Sequence, residues 1–183
     1  MEKGKHPAWL ADKVLNNRLD WAAATKTSMQ ELLETITLHD SCCYHICLKR
    51  GSWVIVIVLD AVWNKAFCHN SEDWPFLIIK FPKVFCSFQK FEEFEFESPI
   101  LSEVEVVSLG GKDFADWMDF TKIAGFFPLT ILQDIAAEGN LTRTELSTVC
   151  GGYLSLVHAP AIEVLLYAEQ GSQLAINLSV QPE

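Results

Sequence analysis

Residues 42–47 read Cys-Cys-Tyr-His-Ile-Cys and carry the side-chain types that hold metal ions or act as nucleophiles. On a β-strand alternate side chains share a face, so Cys43, His45 and Cys47 are expected to project together at intervals of about 7 Å. Zinc ligands lie about 2.0–2.3 Å from the ion. Three alternating side chains on one straight strand are too far apart for all of them to reach one ion at that distance. We therefore expect no metal here and interpret the cysteines as buried thiols, which behave as small hydrophobic residues.

A second candidate set joins Cys43 and His45 to Asp60. In the hairpin predicted below, Asp60 lies opposite Cys43 and diagonal to His45, as a nucleophile, a base and an orienting acid would require. Side chains on a central hairpin usually point into the core, where His and Asp bond to backbone groups at strand ends. The chain has no phosphate-binding loop, nucleophile elbow or H-E-x-x-H motif. We therefore assign no catalytic residue and no cofactor.

The sequence predicts a further hairpin of strands 83–97 and 103–109 around a loop at residues 98–102. Its register places carboxylates opposite carboxylates on one face of the sheet, while Phe and Val side chains share the other face. Like charges directly opposite on neighbouring strands destabilise a sheet by roughly a few tenths of a kcal/mol or more per pair. The opposed pairs are Glu97 with Glu103 and Glu95 with Glu105.

This carboxylate face needs lysine, a cation or a binding partner to offset its repulsion. One interpretation is a repulsive edge that blocks strand-to-strand aggregation. The other, which we adopt, is a surface that docks a basic protein partner. The predicted partner-binding residues are Glu92, Glu93, Glu95, Glu97, Glu103 and Glu105.

The elements that position these side chains begin with a helical segment over residues 1–37. Leu10, Val14 and Trp21 recur at helical spacing and predict one apolar face. Residues 28–31 (Ser-Met-Gln-Glu) have the form of a capping box that opens a short second helix. The pattern then changes to strand.

Residues 42–49 and 53–60 form the clearest hairpin in the sequence, with Gly51–Ser52 as a two-residue type II′ turn. Both faces are largely apolar near the middle, so this hairpin is expected to lie centrally, covered on both sides. On one face, the predicted register pairs Tyr44 with Leu59, Ile46 with Ile57 and Leu48 with Ile55. On the other face, it pairs Cys43 with Asp60, His45 with Val58 and Cys47 with Val56.

The fold class predicted from these elements is α+β, an antiparallel meander covered by N-terminal and central helices in a single domain over residues 1–183. Residues 38–109 form the hairpin-rich sheet, residues 112–139 two helices, and residues 146–179 the C-terminal strands. The second of these helices begins at Pro128 and ends at Gly139–Asn140. The first helix presents three acidic side chains that we interpret as a solvent-exposed face, namely Asp113, Asp116 and Asp119.

The composition narrows the classes of partner. The chain has 24 acidic and 14 basic residues and a net charge of −10, which disfavours nucleic acid and favours a basic protein. Its longest aliphatic run, Val54–Leu59, is far shorter than the roughly 20 residues that cross a bilayer. The first residues lack the apolar stretch of a secretory signal, so we expect a cytoplasmic protein with six free thiols and no membrane partner. The oligomeric state stays open.

Residues 38–41 (Leu-His-Asp-Ser), Gly51, the strand Trp53–Leu59 and residues 60–63 (Asp-Ala-Val-Trp) resemble small uncharacterised bacterial proteins. In those families a His-Asp-Ser or His-Asp-Ala step begins the first strand of a sheet, and several look like immunity proteins encoded beside polymorphic toxins. The resemblance covers roughly residues 35–80 and implies a sheet-rich binding protein without an enzymatic role. It transfers no functional residue. We interpret the His-Asp step as fixing the start of the strand, with the Asp in an Asx-type turn.

These observations favour a soluble acidic binding protein, in particular an immunity protein that neutralises a basic toxin. The alternative is a small-molecule-binding or hydrolytic α+β domain, and a third option is a structural subunit of a larger assembly. The alternative rests on an aromatic pocket between sheet and helices, with the lining residues Trp53, Trp63, Trp74 and Trp117.

Overall fold

The computed structural model describes residues 7–49, 52–68, 74–90, 99–125 and 127–177. These residues form two antiparallel β-sheets together with helices, which confirms the predicted α+β class. The helices are α1 (Ala8–Leu15), α2 (Met29–Thr35), α3 (Gly111–Ala124) and α4 (Leu129–Glu138). The strands are β1 (Thr25–Ser28), β2 (Cys42–Lys49), β3 (Ser52–Val58), β4 (Phe76–Phe81), β5 (Val84–Lys90), β6 (Leu101–Leu109), β7 (Leu141–Thr148), β8 (Tyr153–His158), β9 (Ala161–Tyr167) and β10 (Gln173–Leu174).

The two sheets pack face to face around one shared core. Among the described strands, the first sheet has the order β1-β9-β4-β3-β2, with β10 beside β9, and the second has the order β5-β8-β7-β6. Strands β3 and β4 are apolar at nearly every position because both faces of the first sheet are covered. The core between the sheets includes Ile55, Ile57, Leu77, Ile79, Leu146, Leu154 and Leu156.

Helix α1 covers the outer face of the first sheet. Leu10 and Val14 are buried there against Val56 and Phe76, as the helical spacing predicts. The prediction of a helical segment over residues 1–37 is wrong between Leu15 and Met29, where the chain is not α-helical. The backbone turns left-handed at Asn17 (φ 56°), which ends the helical path.

The chain then forms a short 3₁₀ turn at Trp21–Ala23 and strand β1, which pairs with β9. Four residues with β-branched Thr at two positions take the open edge of β9 in place of a helix. Helix α2 begins as predicted, because the Ser28 hydroxyl accepts from the Glu31 backbone N–H and the Glu31 carboxylate accepts from the Ser28 backbone N–H. The capping box therefore predicted the start of α2 correctly, whereas the local sequence did not indicate the long-range pairing of β1 with β9.

The first hairpin forms, but in a different register. Ser52 lies in β3 opposite Lys49 and is not a turn residue, so Ile46 pairs with Ile55 and not with Ile57. A β-bulge between Cys43 and His45 shifts the pairing again and places Cys43 opposite Ile57. An extra residue in one strand moves the side chains that follow it to the other face, so Cys43 does not share a face with His45 and Cys47 as predicted.

The pairing predicted for the second hairpin is not tested, because its first strand reaches β6 only through residues 91–97. Among the described residues, β6 pairs with β7 and β5 pairs with β8, so β6 has a partner about forty residues further along the chain. Strand β6 already begins at Leu101, inside the predicted loop. Residues 91–98, which hold the first half of the predicted hairpin pairs, lie outside the described residues.

Helices α3 and α4 lie over one end of the outer face of the second sheet. Met118, Leu132 and Ile135 are buried there with Leu141 and Val157 of the sheet. Helix α4 follows Pro128 and stops at Gly139, whose φ of 72° suits a residue without a Cβ, as predicted. The acidic residues of α3 are exposed, which confirms the solvent-facing interpretation, and they are Asp113, Asp116 and Asp119.

The C-terminal strands predicted over residues 146–179 are interrupted by a turn between β7 and β8. The Thr148 hydroxyl accepts from the Gly152 backbone N–H, and the Gly151 backbone N–H bonds to the Thr148 carbonyl. These bonds form a tight turn between β7 and β8. Strand β7 begins at Leu141, five residues before the predicted start, because it pairs with β6 along its whole length.

Candidate protein-binding face

The part of the second sheet that α3 and α4 leave uncovered carries the candidate site. Alternate residues of β6 lie on opposite faces of the sheet. Val104 and Val106 pack against the core between the sheets, while Glu103 and Glu105 are exposed. The sequence predicted this separation correctly for these two carboxylates. The other predicted site residues, Glu92, Glu93, Glu95 and Glu97, lie outside the described residues.

Strand β7 adds a carboxylate that sequence reasoning missed. Glu145 lies directly opposite Glu105, and both project from the outer face of the sheet. Position 145 belongs to the alternating run Leu141–Thr148, whose even positions are buried and whose Thr residues favour a strand. That alternation is the sequence signal that could have placed Glu145 on the outer face. We call Glu103, Glu105 and Glu145 the acidic face.

One cation of the chain partly offsets this repulsion. The Arg143 guanidinium lies 2.8 Å from the Glu105 carboxylate, and the two side chains are 41% and 53% exposed. An exposed pair of this kind contributes about 1 kcal/mol or less, because water and salt screen it. Within the described residues, neither Glu103 nor Glu145 forms an ion pair, so the acidic face keeps an excess of negative charge.

Aromatic side chains lie in the same rows of the sheet. The register Glu105–Glu145–Ser155–Phe88 runs across all four strands, with Ser155 buried between the carboxylates and Phe88, which is 57% exposed at its end. In the next row of the sheet, Tyr153 of β8 pairs with Lys90 of β5. The uncovered face therefore combines carboxylates on β6 and β7 with an exposed aromatic ring on β5.

The predicted catalytic group is not assembled. Cys43 is buried in the core between the sheets, where burial raises the pKa of its thiol to about 12. His45 lies opposite Val56 and lines a cavity of about 60 Å³ beneath α1, on the other face of the sheet. The same separation prevents Cys43, His45 and Cys47 from converging, because Cys47 packs on the outer face. None of the six cysteines forms a disulfide bond.

Asp60 shapes a turn and is not near Cys43 in the ladder. Its carboxylate accepts from the backbone N–H groups of Val62 (2.8 Å) and Trp63 (3.3 Å), which is an Asx-type turn. Its own N–H donates to the Ser41 hydroxyl at 3.1 Å. The Asx turn that we predicted for the His-Asp step is therefore formed by Asp60, at the second segment of the resemblance.

The His-Asp step and the Asp-Ala-Val-Trp segment meet in the structure. The Asp40 carboxylate lies 3.0 Å from His39 Nδ1 and accepts from Trp63 Nε1–H at 3.2 Å. The His39 and Trp63 rings contact each other edge to face, with centroids 5.8 Å apart. Asp40 has a φ of 61°, a left-handed conformation uncommon for residues other than glycine.

The predicted aromatic pocket does not exist as one site. Trp63 contacts His39 on the surface, whereas the other three tryptophans pack against three separate cores. Trp53 packs against the core between the sheets, Trp74 against the core under α1, and Trp117 against the core under α3 and α4.

His158 is a fully buried polar residue that sequence reasoning did not single out. Its ring nitrogens lie 2.9 Å from the Thr144 hydroxyl and 2.6 Å from the Ala159 carbonyl, so the neutral ring has a partner on each side. Burial lowers its pKa to about 4, although the bond to the Ala159 carbonyl opposes part of that shift. The ring of Phe81, 4.7 Å away, links it to the first sheet. These contacts indicate a structural role.

Among the described residues, no three His, Cys, Asp or Glu side chains converge closely enough to hold a metal ion. None of the described helices combines the length and the apolar character needed to cross a bilayer. Comparisons with protein-family models, with curated proteins and with solved structures found no match to this chain.

Proposed function

We propose that this chain is an acidic binding protein that docks a basic protein partner on the acidic face. The observation that carries the proposal is the position of Glu103, Glu105 and Glu145 on the part of the second sheet that the helices leave open. Only one cation, Arg143, pairs with them among the described residues. A positively charged partner surface would relieve the repulsion that remains.

The aromatic end of the face supports docking of a protein and not of a free ion. Phe88 offers apolar surface that a partner can cover, and aromatic residues are enriched among the side chains that dominate binding energy. The carboxylates would chiefly steer association and select a basic partner. The resemblance to immunity-like proteins makes a toxin the partner we favour, and six cysteines without disulfide bonds suit the reducing cytoplasm.

The experiment compares a face variant with a charge-matched control. The variant Glu103→Gln/Glu145→Gln removes two carboxylates but keeps the Glu105–Arg143 pair. The control Asp113→Asn/Asp116→Asn removes two exposed carboxylates from α3. Association rates are measured against salt with a purified partner, first recovered by co-purification from the native host.

We expect the face variant to associate more slowly and to show a shallower dependence on salt, since steering by charge is screened by ions. The α3 control should keep the rate of the parent protein. If the association rate falls equally in the two variants, the rate depends on the net charge of the protein and not on the acidic face. If the face variant keeps the parental rate at every salt concentration, the acidic face is not the interface.

A further inference from the structure

We infer that Trp63 and Asp40 form a second contact beside the acidic face, which receives an arginine side chain of the basic partner. The inference rests on the proposed function, because it identifies a partner group for the same surface. It starts from the cluster in which His39 and Trp63 share the carboxylate of Asp40.

The cluster has unused capacity for a cation. His39 and Trp63 both contact the same oxygen, Asp40 Oδ2, and no described group bonds to Oδ1. Trp63 remains 55% exposed. Lysines of the chain lie over the rings of Trp21 and Tyr167, at 4.9 and 5.0 Å, but among the described residues no lysine or arginine lies over Trp63.

The cluster is also held in place before any partner arrives. The indole N–H is fixed by Asp40, and the backbone of Trp63 is fixed by the Asp60 carboxylate. Asp40 keeps its left-handed conformation, with its N–H bonded to the Leu101 carbonyl at 3.0 Å. Strained backbone of this kind persists where the surroundings determine it, and it occurs often at functional positions. Preorganised side chains lose less entropy on binding.

The bond between Asp40 and Leu101 places the cluster at the start of β6. Glu103 follows two residues later on the same strand, past an irregularity in the β6–β7 pairing, so it lies at most about 7 Å further along the strand. The Asp40–Trp63 cluster and the acidic face therefore lie within reach of one partner surface.

The chemistry favours arginine over lysine. A guanidinium is planar and weakly hydrated, so it can stack on the indole and donate to Asp40 Oδ1 at the same time. An ammonium is a compact, strongly hydrated charge that gains less from the exposed ring.

The test uses fluorescein-labelled hexa-arginine and hexa-lysine peptides as probes, with affinity measured by fluorescence anisotropy at low salt. Trp63→Ala and Asp40→Asn should each weaken hexa-arginine binding by roughly three- to fivefold, as expected for a cation–π contact near the surface. Their effect on hexa-lysine should be smaller. The matched controls Val62→Ala and Asp116→Asn, which alter an exposed neighbour and an exposed carboxylate on α3, should stay near the parent affinity.

Two further variants keep the outcomes distinct. Asp40→Gly suits a φ of 61°, so it should melt no earlier than the parent protein while it loses the arginine preference. Glu103→Gln/Glu145→Gln tests the acidic face alone. If that double variant weakens binding but Trp63→Ala and Asp40→Asn do not, the arginine site is wrong and the proposed function stands. If neither set changes hexa-arginine binding, both are wrong.

Discussion

The outer faces of the two sheets differ in how far their charged side chains are buried and paired. On the first sheet, Lys80 and Glu163 form an ion pair at 2.6 Å, with exposures of only 22% and 19%, and Lys80 also lies 4.9 Å from the centre of the Trp21 ring. On the second sheet, Glu105 and Arg143 form a pair at 2.8 Å that is about half exposed. Among the described residues, the mostly buried charges of the covered face form an ion pair, whereas Glu103 and Glu145 of the open face form none.

This difference shows where a binding function can be added to the fold. A face sealed by a helix must satisfy its charges internally, because unpaired charge is costly away from water. An open face can carry unpaired carboxylates at small cost, since water and salt screen them. The stability of the protein should therefore depend on the covered face, and its recognition of partners on the open one.

The largest expected effect on stability follows from weakening the packing of α1 on the first sheet. Leu10→Ala should lower the free energy of unfolding by about 2–5 kcal/mol, because it leaves a cavity under α1 at a side chain that is 2% exposed. Phe88→Ala on the open face should cost less than about 1 kcal/mol. Denaturant melts of both variants make the comparison. Equal losses would show that the open face is as structural as the covered one.

A second effect concerns the core that both regions share, where His158 is buried and neutral. Its pKa falls from about 6.5 when unfolded to about 4 when folded, so between these values the unfolded chain binds more protons. The free energy of unfolding should therefore fall as the pH drops from 6.5 towards 4. His158 should account for about 3 kcal/mol of this loss. The variant His158→Gln should show a smaller slope of stability against pH over this window. A slope identical to that of the parent would contradict the assignment.

A third comparison removes one cation from each face. Lys80→Gln leaves Glu163 unpaired and mostly buried, so it should cost about 1–3 kcal/mol. Arg143→Gln leaves Glu105 in contact with water and should cost about 1 kcal/mol or less. Thermal melts at low and high salt measure both. The proposed contrast fails if Arg143→Gln is the more damaging change.

What could be predicted from the sequence follows from how local each signal is. The capping box at Ser28 and Glu31 and the stop at Gly139 are short-range features, and both were correct. Alternation along β6 alone placed Glu103 and Glu105 on an exposed face. These signals need no knowledge of distant partners.

The errors that affect the candidate sites involve partners or positions that local patterns do not specify. A bulge between Cys43 and His45 divided the predicted catalytic group, and nothing in the run of residues 42–47 marks it. The pairing of β6 with β7 joins residues about forty positions apart, so Glu145 could not be placed opposite Glu105 from adjacency in the chain. The meeting of Asp40 with Trp63 likewise depends on two loops closing over 23 residues.

The smallest expected effect sharpens the comparison most directly, because it changes the sign of one charge on the open face. Glu145→Lys places a cation opposite Glu105, so a repulsive cross-strand pair becomes attractive. We expect a gain of roughly 0.2–1 kcal/mol at low salt that shrinks at high salt, because the site is exposed enough to be screened. Glu145→Gln, which only removes the repulsion, should give a smaller gain. The same Lys variant should associate more slowly with a basic partner, so stability and binding would move in opposite directions. A loss of stability from Glu145→Lys would instead show that Glu145 has a structural role and that the excess charge is part of the fold.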